Sequence, residues 1–385
     1  PRQYRFTEHR RVSVQGVAEG KFAGVKSVME ASLASGADLG ASFCATKGGE
    51  TVVDIWGGHT NPAKSREWER DTIINVYSTT KTMTALTALL LADRGVFDLH
   101  DEVSKFWPEF AAEGKGDVTI AHLLSHSAGL SGWKEPLQRE DLYDWSKCTE
   151  LLARQAPFWK PGTASGYHAL TQGYLVGEVI RRATGKTVGT VFREEITEPL
   201  GADFHIGLPA SEDARVAELV PPPVAVGAQP GSELQKNMAT NPGIDVGETA
   251  KRAWRGAEIP AAGGTGNARS VAEIHAILAN GGVGKGKRFL SDAGCRRAIE
   301  CQVEGTDLVL GIPVRFGMGF GLPGGMVPLP NPNSCYWGGY GGSIAIVDMD
   351  TQTTFSYVMN RMEGTTTGDA RGFALVMATW QAMAA

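Results

Sequence analysis

The chain has 385 residues, 42% of them hydrophobic and 21% charged, with a formal net charge of −5. These are the proportions of a globular protein with a large core, and they exclude a disordered or fibrous chain. No cluster of Lys and Arg suggests a nucleic-acid partner, and no apolar run approaches the length of a membrane span.

Residues 1–20 are polar and patternless, and Pro1-Arg2-Gln3-Tyr4-Arg5 lacks the apolar core of a signal peptide. Five cysteines (Cys44, Cys148, Cys295, Cys301, Cys335) are widely spaced, odd in number and without a C-x-x-C. They fit free thiols in a reducing compartment, so the expectation is a cytoplasmic protein unless a leader has been trimmed.

In chain order, residues 21–35 carry Phe22, Val25, Val28 and Met29 at helical spacing. Residues 39–45 and 51–56, joined by Lys47-Gly48-Gly49-Glu50, read as a hairpin. Residues 72–77 look like a strand that stops at Ser78. After Ser78-Thr79-Thr80-Lys81, the apolar positions Met83, Leu86, Leu89 and Leu90 predict a helix closed at Asp93-Arg94-Gly95. From 98 to 260 strand signals thin out. Short helices are expected at 118–126 and 170–183, and a Pro- and Gly-rich stretch at 207–264 is long enough to line a site or be disordered. A helix at 271–278, a hairpin of 343–347 with 353–359, and a closing helix at 372–384 follow. The expected fold class is mixed α/β, an antiparallel sheet flanked by helices with a mostly helical inserted domain. Its α/β domain would comprise 1–97 and 261–385, and its helical, loop-rich domain 98–260.

Ser78 at a helix N-terminus meets unpaired N–H groups and the positive end of the dipole. Lys81, one turn on, reaches the same face, and a desolvated lysine can take the proton of a serine hydroxyl. The plain alternative is a serine N-cap. The spacing recurs at Ser131-Gly132-Trp133-Lys134, among glycines and without a helical period, which reads as loop. His122 and His126 have the i, i+4 spacing of a zinc site but no accompanying Glu, so packing or capping is expected and no metal. Tyr167 stands between a Gly-rich turn and a helix start, where it can relay a proton if a nearby ammonium lowers its pKa. In Trp337-Gly338-Gly339-Tyr340-Gly341-Gly342-Ser343, glycines allow close backbone approach, and the N–H groups of Tyr340 and Ser78 could form an oxyanion hole.

Taken together and in order, these motifs resemble the serine β-lactamase and penicillin-binding-protein superfamily, its class C-like branch and above all the family VIII carboxylesterases. The resemblance runs through Ser78-Thr79-Thr80-Lys81, residues 118–130, Pro161-Gly162-Thr163 with Tyr167, Ala183-Thr184-Gly185, Pro199-Leu200-Gly201 and Trp337-Gly338-Gly339. It implies a β-lactamase/transpeptidase-like fold, Ser78 as nucleophile, Lys81 as its base, Tyr167 as the tyrosine of a Tyr-x-Asn motif, and substrate contacts from Trp337, Gly338, Gly339 and His168. Two positions depart from the pattern. Ala169 replaces an asparagine and Trp337 a lysine, so the groups that would hold an acyl-amide and an antibiotic carboxylate are missing.

The expected function is therefore hydrolysis of small carboxylic esters through an acyl-enzyme, with no cofactor and with Lys81 and Tyr167 titrating as a coupled pair. Residues 207–264 and 322–332, including Met326, Val327 and Leu329, are expected to line the acyl pocket. The alternatives are a β-lactamase or D-alanyl-D-alanine peptidase and, outside catalysis, an acyl-ligand-binding protein. A monomer or a dimer is expected.

Overall fold

Alternating and continuous apolar runs at both ends of the chain meet in one sheet. In the computed structural model, which describes residues 13–225 and 231–385, β1 (Val14–Val17) precedes helix α1 (Ala23–Ser35). The reading of the first residues, and of 226–230 in the Pro- and Gly-rich stretch, lies outside the described residues. β2 (Gly40–Lys47) and β3 (Glu50–Gly58) form the first hairpin, with Lys47 opposite Glu50. Its turn residues Gly48 and Gly49 have φ of 59° and 83°, the left-handed pair a two-residue hairpin turn requires.

The expected strand at 72–77 shrinks to Ile74–Asn75, which bridges Thr265–Gly266 before the chain turns into the helix. Helix α2 (Thr80–Asp93) is buried from Thr80 to Leu91, so it is a central helix covered on all sides rather than an amphipathic one on a surface. Its threonine hydroxyls are satisfied internally: Thr82 donates to Thr79 O, Thr84 to Pro260 O and Thr87 to Met83 O. The middle of the chain supplies α3 (Ile120–Leu124), α4 (Thr171–Thr184) and α5 (Glu233–Thr240).

Helix α6 (Ala268–Ala279) leads back to the sheet, completed by β4 (Ser334–Gly338), β5 (Ile344–Asp348), β6 (Thr353–Met359) and the closing helix α7 (Ala370–Ala384). Strand order is β1-β3-β2-β6-β5-β4, every neighbour antiparallel. Alternation along β6 divides the two layers of helices. Thr354 donates to Ala272 O on α6, whereas Phe355 stacks edge-on against Trp380 of α7 at 5.0 Å. The sheet ends at β4, the strand nearest the Ser78 turn.

Candidate active site

Ser78 lies in a tight turn, Tyr77–Thr79, that runs directly into α2. It is not the helix cap: Thr79 holds that position, without a side-chain cap bond. Tyr77 has a φ of 45°, a strained value for a residue with a side chain, and its ring packs edge-on against Tyr340 at 5.5 Å. This kink presents the serine.

Two groups converge on Ser78 Oγ, and a third backs one of them. Lys81 Nζ lies 2.8 Å away and Tyr167 Oη 2.6 Å away, while Trp337 Nε1 donates to Tyr167 Oη at 3.3 Å. Lys81 is 1% exposed, and its amine also donates to Ala169 O at 2.6 Å and Ala261 O at 3.0 Å. Burial holds this amine well below the ordinary lysine range. A neutral amine has two hydrogens and one lone pair. With the two carbonyls taking its hydrogens, the neutral form of this amine can turn its lone pair to the serine hydroxyl. Burial also pushes the Tyr167 phenol up to about 12, the neighbouring Asp307 adding to the rise against hydrogen bonds with Ser78 and Trp337. Tyr167 therefore stays protonated. Two groups left interchangeable by sequence are driven apart by their surroundings, the amine shifted down and the phenol up.

A cavity of about 190 Å³ opens beside Ser78. Tyr77, Tyr167, Ala169, Leu170, Met238, Pro242, Ile244, Leu310, Tyr340 and Thr366 line it, and none of its lining residues is charged. The expectation for 207–264 holds at Met238, Pro242 and Ile244. The expectation for 322–332 does not, because the backbone of Met326 and Val327 instead hydrogen-bonds the Tyr336 hydroxyl. Leu310 and Thr366 take the places on the wall, neither singled out by the sequence.

The four residues expected to touch substrate lie behind the cavity wall. Trp337 is 2% exposed and sits behind Tyr167, its ring 5.5 Å from the phenol and 5.3 Å from Phe316. His168 is fully buried; its Nε2 accepts from Leu130 N–H and its Nδ1 faces Gly166 O, with burial lowering its pKa to about 4. Gly338 and Gly339 are absent from the cavity wall because their close approach is to protein: a Cβ on Gly339 would lie 2.1 Å from Val76 O, and one on Gly338 2.8 Å from Ser343 O. Gly339 lets the β4–β5 turn press against the nucleophile turn, while Gly338 lets the 367–368 backbone approach β4. The N–H groups flanking Tyr340 are engaged, Gly339 with Ser343 O and Gly341 with Thr365 O, both at 2.9 Å.

The two histidines separate. His122 completes a capping box on α3, accepting from Thr119 N–H at 3.1 Å. His126 has a φ of 60°, accepts from His168 N–H at 2.9 Å and stacks 5.0 Å from Tyr167. The second S-x-x-K is loop, as read: Ser131 is buried, whereas Lys134 Nζ lies over the Phe158 ring.

A serine, a buried lysine and a phenol at the entrance to a buried helix, beside an antiparallel sheet, define the active-serine class built on S-x-x-K. The sequence pattern of the Beta-lactamase family matches residues 25–377, and the chain belongs to that family. It is 36% identical over 366 residues to a protein named Esterase/beta-lactamase LipL from Mycobacterium tuberculosis (strain ATCC 25618 / H37Rv), covering 91% of this chain and 83% of that one. Among solved structures it resembles a family VIII carboxylesterase at 41% identity and a TM-score of 0.92, covering 96% of this chain and 100% of the other. A penicillin-binding protein homolog from Caulobacter crescentus superposes with a TM-score of 0.91 at 36% identity, over 96% of this chain and 100% of its own. The β-lactamase/transpeptidase-like fold stands.

Proposed function

We propose that this protein is a serine carboxylesterase acting on small, uncharged esters. The observation that carries this reading is the Ser78 Oγ, bracketed at 2.8 Å by Lys81 and 2.6 Å by Tyr167, at an apolar cavity with no charged lining residue. Lys81 takes the serine proton as Oγ attacks the ester carbonyl, forming a tetrahedral oxyanion. The N–H groups of Ser78 and Tyr340 receive that negative charge. Tyr167 donates its proton to the departing alkoxide and regains one from the lysine ammonium. The same groups then activate water against the acyl-enzyme.

The names of the relatives, an esterase/beta-lactamase and a family VIII carboxylesterase, support this class of reaction. A β-lactam carrying a carboxylate meets Ala169 and Tyr340 on the wall and no cation. The five free thiols support the cytoplasm as its location. Among the described residues no helix is long and apolar enough to cross a membrane.

Turnover of p-nitrophenyl butyrate and of a chromogenic cephalosporin by the same preparation tests the substrate class. Efficient ester hydrolysis with slow β-lactam hydrolysis is expected. The reverse order, or no ester turnover, would overturn the assignment.

A further inference from the structure

Asp307 is fully buried, and among the described residues it forms no ion pair. It sits in the turn between the paired strands Val303–Thr306 and Pro313–Phe316. Its Oδ1 accepts from Val309 N–H at 2.9 Å and Leu310 N–H at 2.8 Å, the local bonds by which an aspartate ordinarily shapes a turn. Two further bonds reach far along the chain. Oδ1 also accepts from Tyr167 N–H at 3.0 Å, across a separation of 140 residues, and Oδ2 accepts from Ser165 Oγ at 2.8 Å. Leu308 N–H donates to Ser165 O at 2.9 Å beside them. A turn alone needs no buried charge, and an asparagine would shape it at lower desolvation cost. The excess is spent on the residue that carries the phenol.

We propose that Asp307 is a positioning residue for the reaction, tying the main chain of Tyr167 to the turn that carries Leu310 so that phenol and acyl wall keep one spacing around Ser78. Tyr167 is then held at both ends: its N–H by Asp307, its Oη by Ser78 and Trp337. Asp307 exchanges no proton with substrate. Its charge adds to the burial that keeps the phenol protonated. The inference rests on the reading of Ser78 as nucleophile with Tyr167 as its proton partner.

Asp307→Asn is the informative variant. Its neutral amide oxygen accepts more weakly than a carboxylate, and its NH2 faces Ser165 Oγ as a donor in place of the Oδ2 that accepted there, so the long-range tie to Ser165 and Tyr167 is loosened while the turn keeps its acceptor. The test is a double-mutant cycle with Tyr167→Phe, read by kcat and KM on p-nitrophenyl butyrate. It is read in parallel by the rate at which a fluorophosphonate labels Ser78, forming an O–P bond as fluoride leaves and the serine proton passes to Lys81. Asp307→Asn is expected to lower kcat and labelling about tenfold, with KM within about twofold. In the Tyr167→Phe background its effect should shrink below about twofold. An equal factor in both backgrounds, or no loss in Asp307→Asn, would make Asp307 a turn residue only and overturn the proposal. Should Asp307→Asn fail to fold, Ser165→Ala removes the other long-range bond, and its loss must likewise vanish without the Tyr167 hydroxyl. A wild type that is labelled but turns over no ester would sink the ester assignment and leave the labelling cycle to decide this one. A wild type that is not labelled sinks both.

Discussion

Replacing Trp337 by phenylalanine separates two roles that sequence alone merged. The indole is 2% exposed and off the cavity wall, and its single polar act is a 3.3 Å hydrogen bond from Nε1 to Tyr167 Oη. Phenylalanine keeps an aromatic ring among Phe316, Tyr167 and Tyr336 but has no N–H to donate. A neutral hydrogen bond nets about 0.5–1.5 kcal/mol, so kcat should fall about twofold to tenfold as the phenol loses its alignment. KM should stay within about twofold, because no substrate contact is removed. Loss of the indole volume from the core should cost stability by about 1–3 kcal/mol, seen as a lower melting temperature by circular dichroism. Steady-state kinetics on p-nitrophenyl butyrate decide the matter. A large rise in KM at unchanged kcat would mean that Trp337 grips substrate, against its position behind Tyr167. For the same reason Trp337→Lys should not create an antibiotic-carboxylate site: the ammonium would be buried among rings, and protein stability should fall instead.

The cavity of about 190 Å³ sets acyl length. At roughly 30 Å³ for a water-sized group it holds about six such groups, so kcat/KM for p-nitrophenyl esters should climb about fourfold per methylene up to about six carbons and then flatten or fall. A preference for acetate, or a continued climb at long chains, would contradict this wall. The pH profile should follow Lys81, whose pKa lies well below the ordinary 10.5 because its amine is buried. Since the neutral amine is the active form, kcat/KM should fall as pH drops through that pKa and level off above it, with Tyr167, near 12, leaving the plateau intact toward alkaline pH. Lys81→Arg, protonated at every accessible pH, should show background activity without a plateau, and recovery at high pH would argue for a different base.

Local relations were the legible part of this chain. Ser78 and Lys81 are one helical turn apart, so spacing and an apolar period were enough to pair them, and both hairpins were announced by alternation and turn residues. The closing helix and α1 followed from their periodicity. Relations across the fold were not legible. The helix after Ser78 is buried on all sides, a fact its period of apolar residues could not convey because its threonines bond inward. His126, read with His122 by spacing, leaves the helix at a φ of 60° and packs on Tyr167 instead. Of the Trp337-Gly338-Gly339 glycines, Gly339 serves a close contact with Val76 that no local pattern announces. Asp307 offered only an aspartate in a short turn. Its partners Ser165 and Tyr167 lie more than a hundred residues away, and no local pattern connects them.

The most direct test is to find where the acyl group goes. Wild-type protein mixed with p-nitrophenyl butyrate, quenched in acid during turnover and mapped by mass spectrometry, should carry butyryl on the peptide that contains Ser78. Folded Ser78→Ala should carry none and hydrolyse the ester at background rate. Butyryl on another residue, or undiminished turnover by Ser78→Ala, would contradict the mechanism at its first step.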